Sequence, residues 1–156
     1  MAIKIYLDGA DLGAMRAWAD DPRIVGFTTN PSLARASGIT SYRMFAERAL
    51  VIAGDRPVSI EVLADDLVEM GRQARVIAEL GANAFVKIPV VNSTGQSTAA
   101  VVDDLAGSGV KLNVTAVFTC TQVSEVGRAL SGELSSTLVR GKVAAVSRVP
   151  RIVPAV

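Results

Sequence analysis

Along most of its length the chain alternates between short runs with a two-residue period and longer stretches with a helical one. Five β-branched or apolar runs recur: "IKIYLD" (3–8), "VGFTTN" (25–30), "VSIEVL" (58–63), "AFVKIP" (84–89) and "LNVTAV" (112–117). Each predicts a strand. Between them, Asp66 followed by Glu69 predicts a capping box, Leu67, Met70, Ala74 and Ile77 share one helical face, and Gly81 closes the helix. Thr40, Ser97 and Thr121 are the expected caps of other helices. Strands alternating with helices at this spacing predict βα units and a parallel sheet.

The strands also carry a parity. Ile3, Ile5 and Leu7 alternate with Lys4, Tyr6 and Asp8; Ile60 and Val62 with Ser59 and Glu61; Val86 and Ile88 flank Lys87; Leu112, Val114 and Ala116 alternate with Asn113 and Thr115. A doubly wound sheet buries both faces, and its strands read as nearly continuous apolar runs. A barrel accounts for the alternation better. Its apolar parity packs under helices, and its polar parity converges on a shared interior near the carboxyl ends of the strands. The expected fold is therefore an α/β, (β/α) TIM-type barrel in a single domain spanning residues 1–156. After Gly132 the pattern changes: the stretch at 133–156 has four basic residues against one acid, two prolines and no helical period, and is expected to be an atypical tail.

Composition narrows the chemistry. The chain has 156 residues, half of them hydrophobic, which suits one domain with a substantial core. Sixteen basic and 15 acidic side chains leave no excess charge to hold a polyanion, and one Trp, two Tyr and four Phe offer little for base stacking. Nucleic acid is not an expected partner. No stretch approaches the roughly 18 apolar residues that span a bilayer, and "MAIKIYLDGADL" lacks the features of a signal peptide, so no membrane association and a cytoplasmic location are expected. Cys120 is the one cysteine, expected as a small buried residue, and histidine is absent. Any catalysis must run on carboxylates, lysine, hydroxyls and amides.

Lys87 stands in an otherwise apolar run. One reading is an amine nucleophile that condenses with a ketone or aldehyde. Desolvation among Phe85, Val86 and Ile88 would then push its pKa down from about 10.4, each unit representing about 1.4 kcal/mol of disfavoured ammonium. The plainer reading is a lysine that snorkels to solvent, or an ion pair with Asp8 or Glu61. The run alone does not separate the two. Asp8, Glu61, Lys87, Asn113 and Thr115 share the inward parity, and two carboxylates converging with a lysine favour acid, base and nucleophile. For "TTNP" (28–31), geometry favours Asn30 as the N-cap of a helix with Pro31 at its first position, over Asn30 or Thr28 as substrate ligands. Asn113 and Thr115 are likewise open to either role, since buried polar groups can simply satisfy one another.

Taken together, "YLDGADL", "GFTTNPSL", "SIEVL", "FVKIP" and "LNVTAVFT" resemble, in order and spacing, the successive strand ends of the transaldolase family, specifically its short-chain branch. The resemblance covers about residues 3 to 130. It implies an α/β barrel, a Schiff-base lysine at Lys87, acid-base work by Asp8 and Glu61, and Thr115 helping to place the catalytic water. It further implies that Asn30 and Asn113 hydrogen-bond substrate hydroxyls, assisted by Thr28. The substrates implied are sugar phosphates: a dihydroxyacetone unit passes from a ketose phosphate to an aldose phosphate, without metal or other cofactor. The related fructose 6-phosphate aldolases also resemble the chain, but carry glutamine where this one has Glu61, which favours the transferase over the lyase. Short-chain members are oligomeric, so a homo-oligomer is expected.

The chain departs from the family after about residue 131. The family has eight βα units, and five clear ones are present here. The family's phosphate-binding arginine has its nearest counterpart in "LVRGK", as Arg140 or Lys142. The expectation is an incomplete barrel of about five to six units, truncated or altered at its carboxyl end, with a catalytically inactive fragment as the alternative to an enzyme.

Overall fold

The computed structural model describes residues 4–131. The tail at 133–156, with Arg140 and Lys142, lies outside the described residues. Elements follow in the order β1 (Ile5–Asp8), α1 (Leu12–Ala17), β2 (Ile24–Thr28), α2 (Pro31–Ala36), α3 (Tyr42–Ala53), β3 (Val58–Glu61), α4 (Leu67–Ala78), β4 (Ala84–Pro89), α5 (Ala99–Gly107), β5 (Leu112–Thr115) and α6 (Cys120–Ser131). The five strands form one sheet in the order β1-β2-β3-β4-β5, every pairing parallel. The sheet curls into half of a (β/α) barrel.

The anticipated parity is clearest in the last three strands. Val58, Ile60, Val86, Ile88, Leu112 and Val114 are buried, and they form one core with Met70, Ala74 and Ile77 of α4, Val102 and Leu105 of α5, and Val126 and Ala129 of α6. Each fully buried aliphatic side chain of this kind contributes about 1.5–3 kcal/mol by leaving water. Phe85, Lys87 and Pro89 of β4 face the other way, half-buried, as do Asn113 and Thr115 of β5. This second face is the concave one.

Curl is visible in the hydrogen bonds. Asn113 Nδ2 on β5 donates to Ser59 Oγ on β3 at 3.0 Å, and Lys87 Nζ on β4 donates to the carbonyl of Thr29, just past β2, at 3.4 Å. Each bond skips a strand. Lower in the interior, Tyr6 of β1 pairs in register with Gly26 of β2, and its ring occupies the space a side chain at Gly26 would need.

Helix caps end the strands earlier than the sequence pattern suggests. β2 stops at Thr28 because Asn30 is extended and its Oδ1 accepts from Leu33 N at 2.9 Å, with Pro31 opening α2. That is the cap geometry expected of Asn30. Ser41, not Thr40, caps α3, its hydroxyl accepting from Met44 N. Asp66 caps α4 through Glu69 N, but the Glu69 carboxylate is turned to Arg72, so only half of the expected box forms. A reciprocal box occurs at α6 instead. Thr119 Oγ1 accepts from Gln122 N and Gln122 Oε1 accepts from Thr119 N, which moves the cap from Thr121 to Thr119. Ser97 supplies its expected bond from one residue outside the cap position of α5, accepting from Ala99 N at 3.2 Å. Cys120, expected to be buried, is exposed because it sits on the first turn of α6.

Candidate active site

Lys87 and Glu61 are directly paired residues of adjacent parallel strands, and Lys87 is also in register with Asn113. In a parallel sheet such a rung points its side chains to the same face. Lys87 Nζ lies 3.1 Å from Glu61 Oε2, with 13% and 19% of the two side chains exposed. The ammonium has a second acceptor in the Thr29 carbonyl. Val86 and Ile88 project to the opposite face and pack under the helices, so chain neighbours on that face do not supply the desolvation that the run suggested. The shielding of Lys87 comes from its own rung and from the end of β2.

An open cleft of about 500 Å³ lies at the carboxyl ends of the strands, lined by Asn30, Pro31, Ser32, Leu33, Glu61, Lys87, Pro89, Thr115 and Ala116. Four of the sequence-predicted residues therefore line one cleft: Lys87, Glu61, Thr115 and Asn30. With its Oδ1 committed to α2, Asn30 has its amide hydrogens to offer a ligand. Thr115 pairs in register with Pro89, and its carbonyl accepts from Val90 N at 2.9 Å.

Three predicted residues among the described ones, Asp8, Thr28 and Asn113, are not part of this lining, and Thr28 is buried. Asp8 is exposed at the end of β1, in register with buried Thr28, and forms no ion pair with Lys87. One amide hydrogen of Asn113 goes to the Ser59 hydroxyl, which leaves its oxygen and the other amide hydrogen for a ligand. The proposed phosphate ligands Arg140 and Lys142 lie outside the described residues.

The structure adds residues to which the sequence pattern assigns no role. Ser59 was visible only as a polar member of the inward parity in "VSIEVL". Tyr42 opens α3 with its hydroxyl buried near the main chain of Glu61 and without a hydrogen-bond partner among the described residues. Burial, the largest cause, and the nearby Glu61 carboxylate raise its pKa above the ordinary tyrosine value of 10.0, with the Glu61 main chain opposing part of the shift. Gln73 of α4 accepts from Leu63 N and Ala64 N, fixing the chain where it leaves β3 beyond Glu61. Among the described residues no cluster of histidine, cysteine and carboxylate side chains could hold a metal ion, and no helix is long and apolar enough to cross a membrane.

Comparison with known proteins agrees with this arrangement. A family model described as "Transaldolase/Fructose-6-phosphate aldolase" matches residues 5–153. A probable transaldolase of Thermoanaerobacter sp. (strain X514) is 35% identical over 127 residues, covering 81% of this chain and 56% of the relative. One from Dehalococcoides mccartyi is 32% identical over 120 residues, covering 77% and 54%. Probable transaldolase 1 of Listeria monocytogenes is 35% identical over 138 residues, covering 88% and 62%. The chain thus spans somewhat over half the length of the curated relatives it matches. Its curled parallel sheet, the lysine–carboxylate rung at the strand ends and these matches together make the chain a member of the transaldolase/fructose-6-phosphate aldolase family.

Proposed function

We propose that the chain carries out transaldolase-type group transfer, moving a dihydroxyacetone unit from a ketose phosphate to an aldose phosphate through a Schiff base on Lys87. The observation that carries this reading is the 3.1 Å contact between Lys87 Nζ and Glu61 Oε2 in a cleft whose volume suits a small sugar phosphate. A carboxylate at that distance can take the proton that an ammonium must lose before it attacks.

The steps then follow from the residues. The Lys87 amine adds to the ketone carbon to give a carbinolamine, which takes up a proton and loses water to become a protonated imine. Glu61 handles the proton and the Thr115 hydroxyl helps to hold the water. Asp8 accepts the proton of the C4 hydroxyl, the C3–C4 bond breaks, and its electron pair moves into the iminium, releasing the aldose phosphate and leaving an enamine on Lys87. A second aldehyde takes the enamine carbon, and water returns to free the new ketose phosphate. Asn30 and the Asn113 oxygen bind substrate hydroxyls with Thr28 assisting, and Arg140 or Lys142 takes the phosphate.

Incubation with fructose 6-phosphate, with and without an aldose-phosphate acceptor, tests the reading by product analysis. Transfer predicts a new ketose phosphate that appears only with the acceptor. Free dihydroxyacetone formed equally in both cases would make the chain a lyase using the same lysine, and no product in either would count against catalysis by this chain.

A further inference from the structure

β5 ends at Thr115 because the next residue leaves extended geometry. Ala116 has φ of 59°, the one left-handed backbone among the described non-glycine residues; Gly38, Gly54, Gly95 and Gly109 occupy the other positive-φ positions among them. The left-handed region is disfavoured for any residue with a Cβ, which crowds the following carbonyl oxygen. Strain of this kind persists only where the surroundings over-determine the backbone, and here they do on both sides. Upstream, Val90 N donates to the Thr115 carbonyl at 2.9 Å. Downstream, Gln122 Oε1 accepts from Phe118 N at 2.9 Å and from Thr119 N at 3.1 Å, and Thr119 Oγ1 accepts from Gln122 N. The turn is pinned where Thr115 and Ala116 line the cleft with Lys87 and Glu61.

A glycine would relieve the crowding but would also let the turn sample many more conformations. We propose that Ala116 and Gln122 are positioning residues: the left-handed turn at Ala116, clamped by the Gln122 cap, holds Thr115 at the cleft it shares with Lys87 and Glu61, so that its hydroxyl serves the water-loss step of imine formation. This inference rests on the Schiff-base reading above. Neither residue touches the reacting atoms.

The test compares the full chain with its Ala116→Gly, Gln122→Ala and Gln122→Glu variants by thermal unfolding and by the rate at which borohydride traps fructose 6-phosphate on the protein. For Ala116→Gly the expected melting temperature is unchanged or raised by about 2–4 °C. Its trapping rate at saturating sugar falls about tenfold, with the half-saturating concentration within about twofold, as for a misplaced group rather than lost binding. Gln122→Ala slows trapping in the same way, and Gln122→Glu, which keeps an acceptor oxygen for both N–H groups, restores it. A lowered melting temperature for Ala116→Gly, an unchanged trapping rate, or Gln122→Ala and Gln122→Glu behaving alike would overturn the inference. A parent chain that traps no sugar would overturn the Schiff-base reading itself and this inference with it, and that result is read before any variant is compared.

Discussion

Asn113 on β5 reaches over β4 to give its side-chain amide to the Ser59 hydroxyl on β3, at 3.0 Å. Neighbouring strands lie about 4.8 Å apart, so in a flat sheet these two strands would be about 9.6 Å apart with parallel side chains. Only a sheet curled toward this face brings such short side chains together, in the manner of barrel layers filled from alternate strands. The bond also turns the Asn113 oxygen into the free end of the amide, beside the Lys87 rung. Ser59→Ala should therefore leave a part-buried amide short of a partner and cost about 1–3 kcal/mol. Urea unfolding of Ser59→Ala, Asn113→Ala and the double variant measures this, and the double variant is expected to cost less than the two single losses added together.

Glu61 Oε2 lies 3.1 Å from Lys87 Nζ, and the proposed function makes it the acid-base partner of that lysine. Glu61→Gln keeps the shape and removes the proton acceptor, so transfer turnover should fall about 10²–10⁴-fold while sugar can still be trapped slowly on Lys87. Parallel assays of product formation and borohydride trapping check this. Equal loss of both, or of neither, would assign Glu61 another role.

Gly26 is held to glycine by packing. A Cβ there would stand 2.5 Å from Tyr6 Cε1 and 2.8 Å from the Pro57 carbonyl oxygen. The ring can yield, but the carbonyl belongs to the backbone entering β3. Gly26→Ala should cost about 1–3 kcal/mol through overpacking, and Tyr6→Ala added to it should recover part of the loss and not all. Denaturant midpoints of the two variants provide the measurement.

Tyr42 makes a pH prediction. Its hydroxyl is buried with no hydrogen-bond partner among the described residues, and its pKa is raised above 10.0, first by burial and then by the Glu61 carboxylate. Above pH about 10 the unfolded chain loses this proton and the folded chain keeps it, so unfolding becomes easier as pH rises through that value. Tyr42→Phe removes a hydroxyl with no partner and should be close to neutral at pH 7, yet should show a shallower loss of stability between about pH 10 and 11. Melting curves of the two proteins across that range test it.

The alternation of polar and apolar positions made most of this fold legible, because strand parity is a local property that every residue obeys. The rung Glu61–Lys87–Asn113 could be read from three separate strands since parallel pairing aligns their carboxyl ends. Strand ends were harder. The run at 25–30 takes in Thr29 and Asn30, although Asn30 before Pro31 also reads as the cap of α2; Ala116 looks apolar and extended, yet it turns back next to a cap that Gln122 closes six residues later. Ser59 shows only its inward parity, and Tyr42 and Gln122 carry no signal of their own, because each gains its role from a partner brought close by curl or packing. Asp8 shows the same limit in reverse: its parity is right, but a residue at the end of β1 lies on the rung of Thr28 and Ser59, one layer from that of Lys87.

The account depends on Lys87 as the residue that bonds to sugar. Borohydride reduction in the presence of fructose 6-phosphate, followed by peptide mass mapping, tests it most directly. It predicts the reduced sugar on the peptide containing Lys87, absent without sugar and absent from Lys87→Met. A sugar carried by any other lysine, or an unmodified Lys87 at saturating substrate, would contradict it.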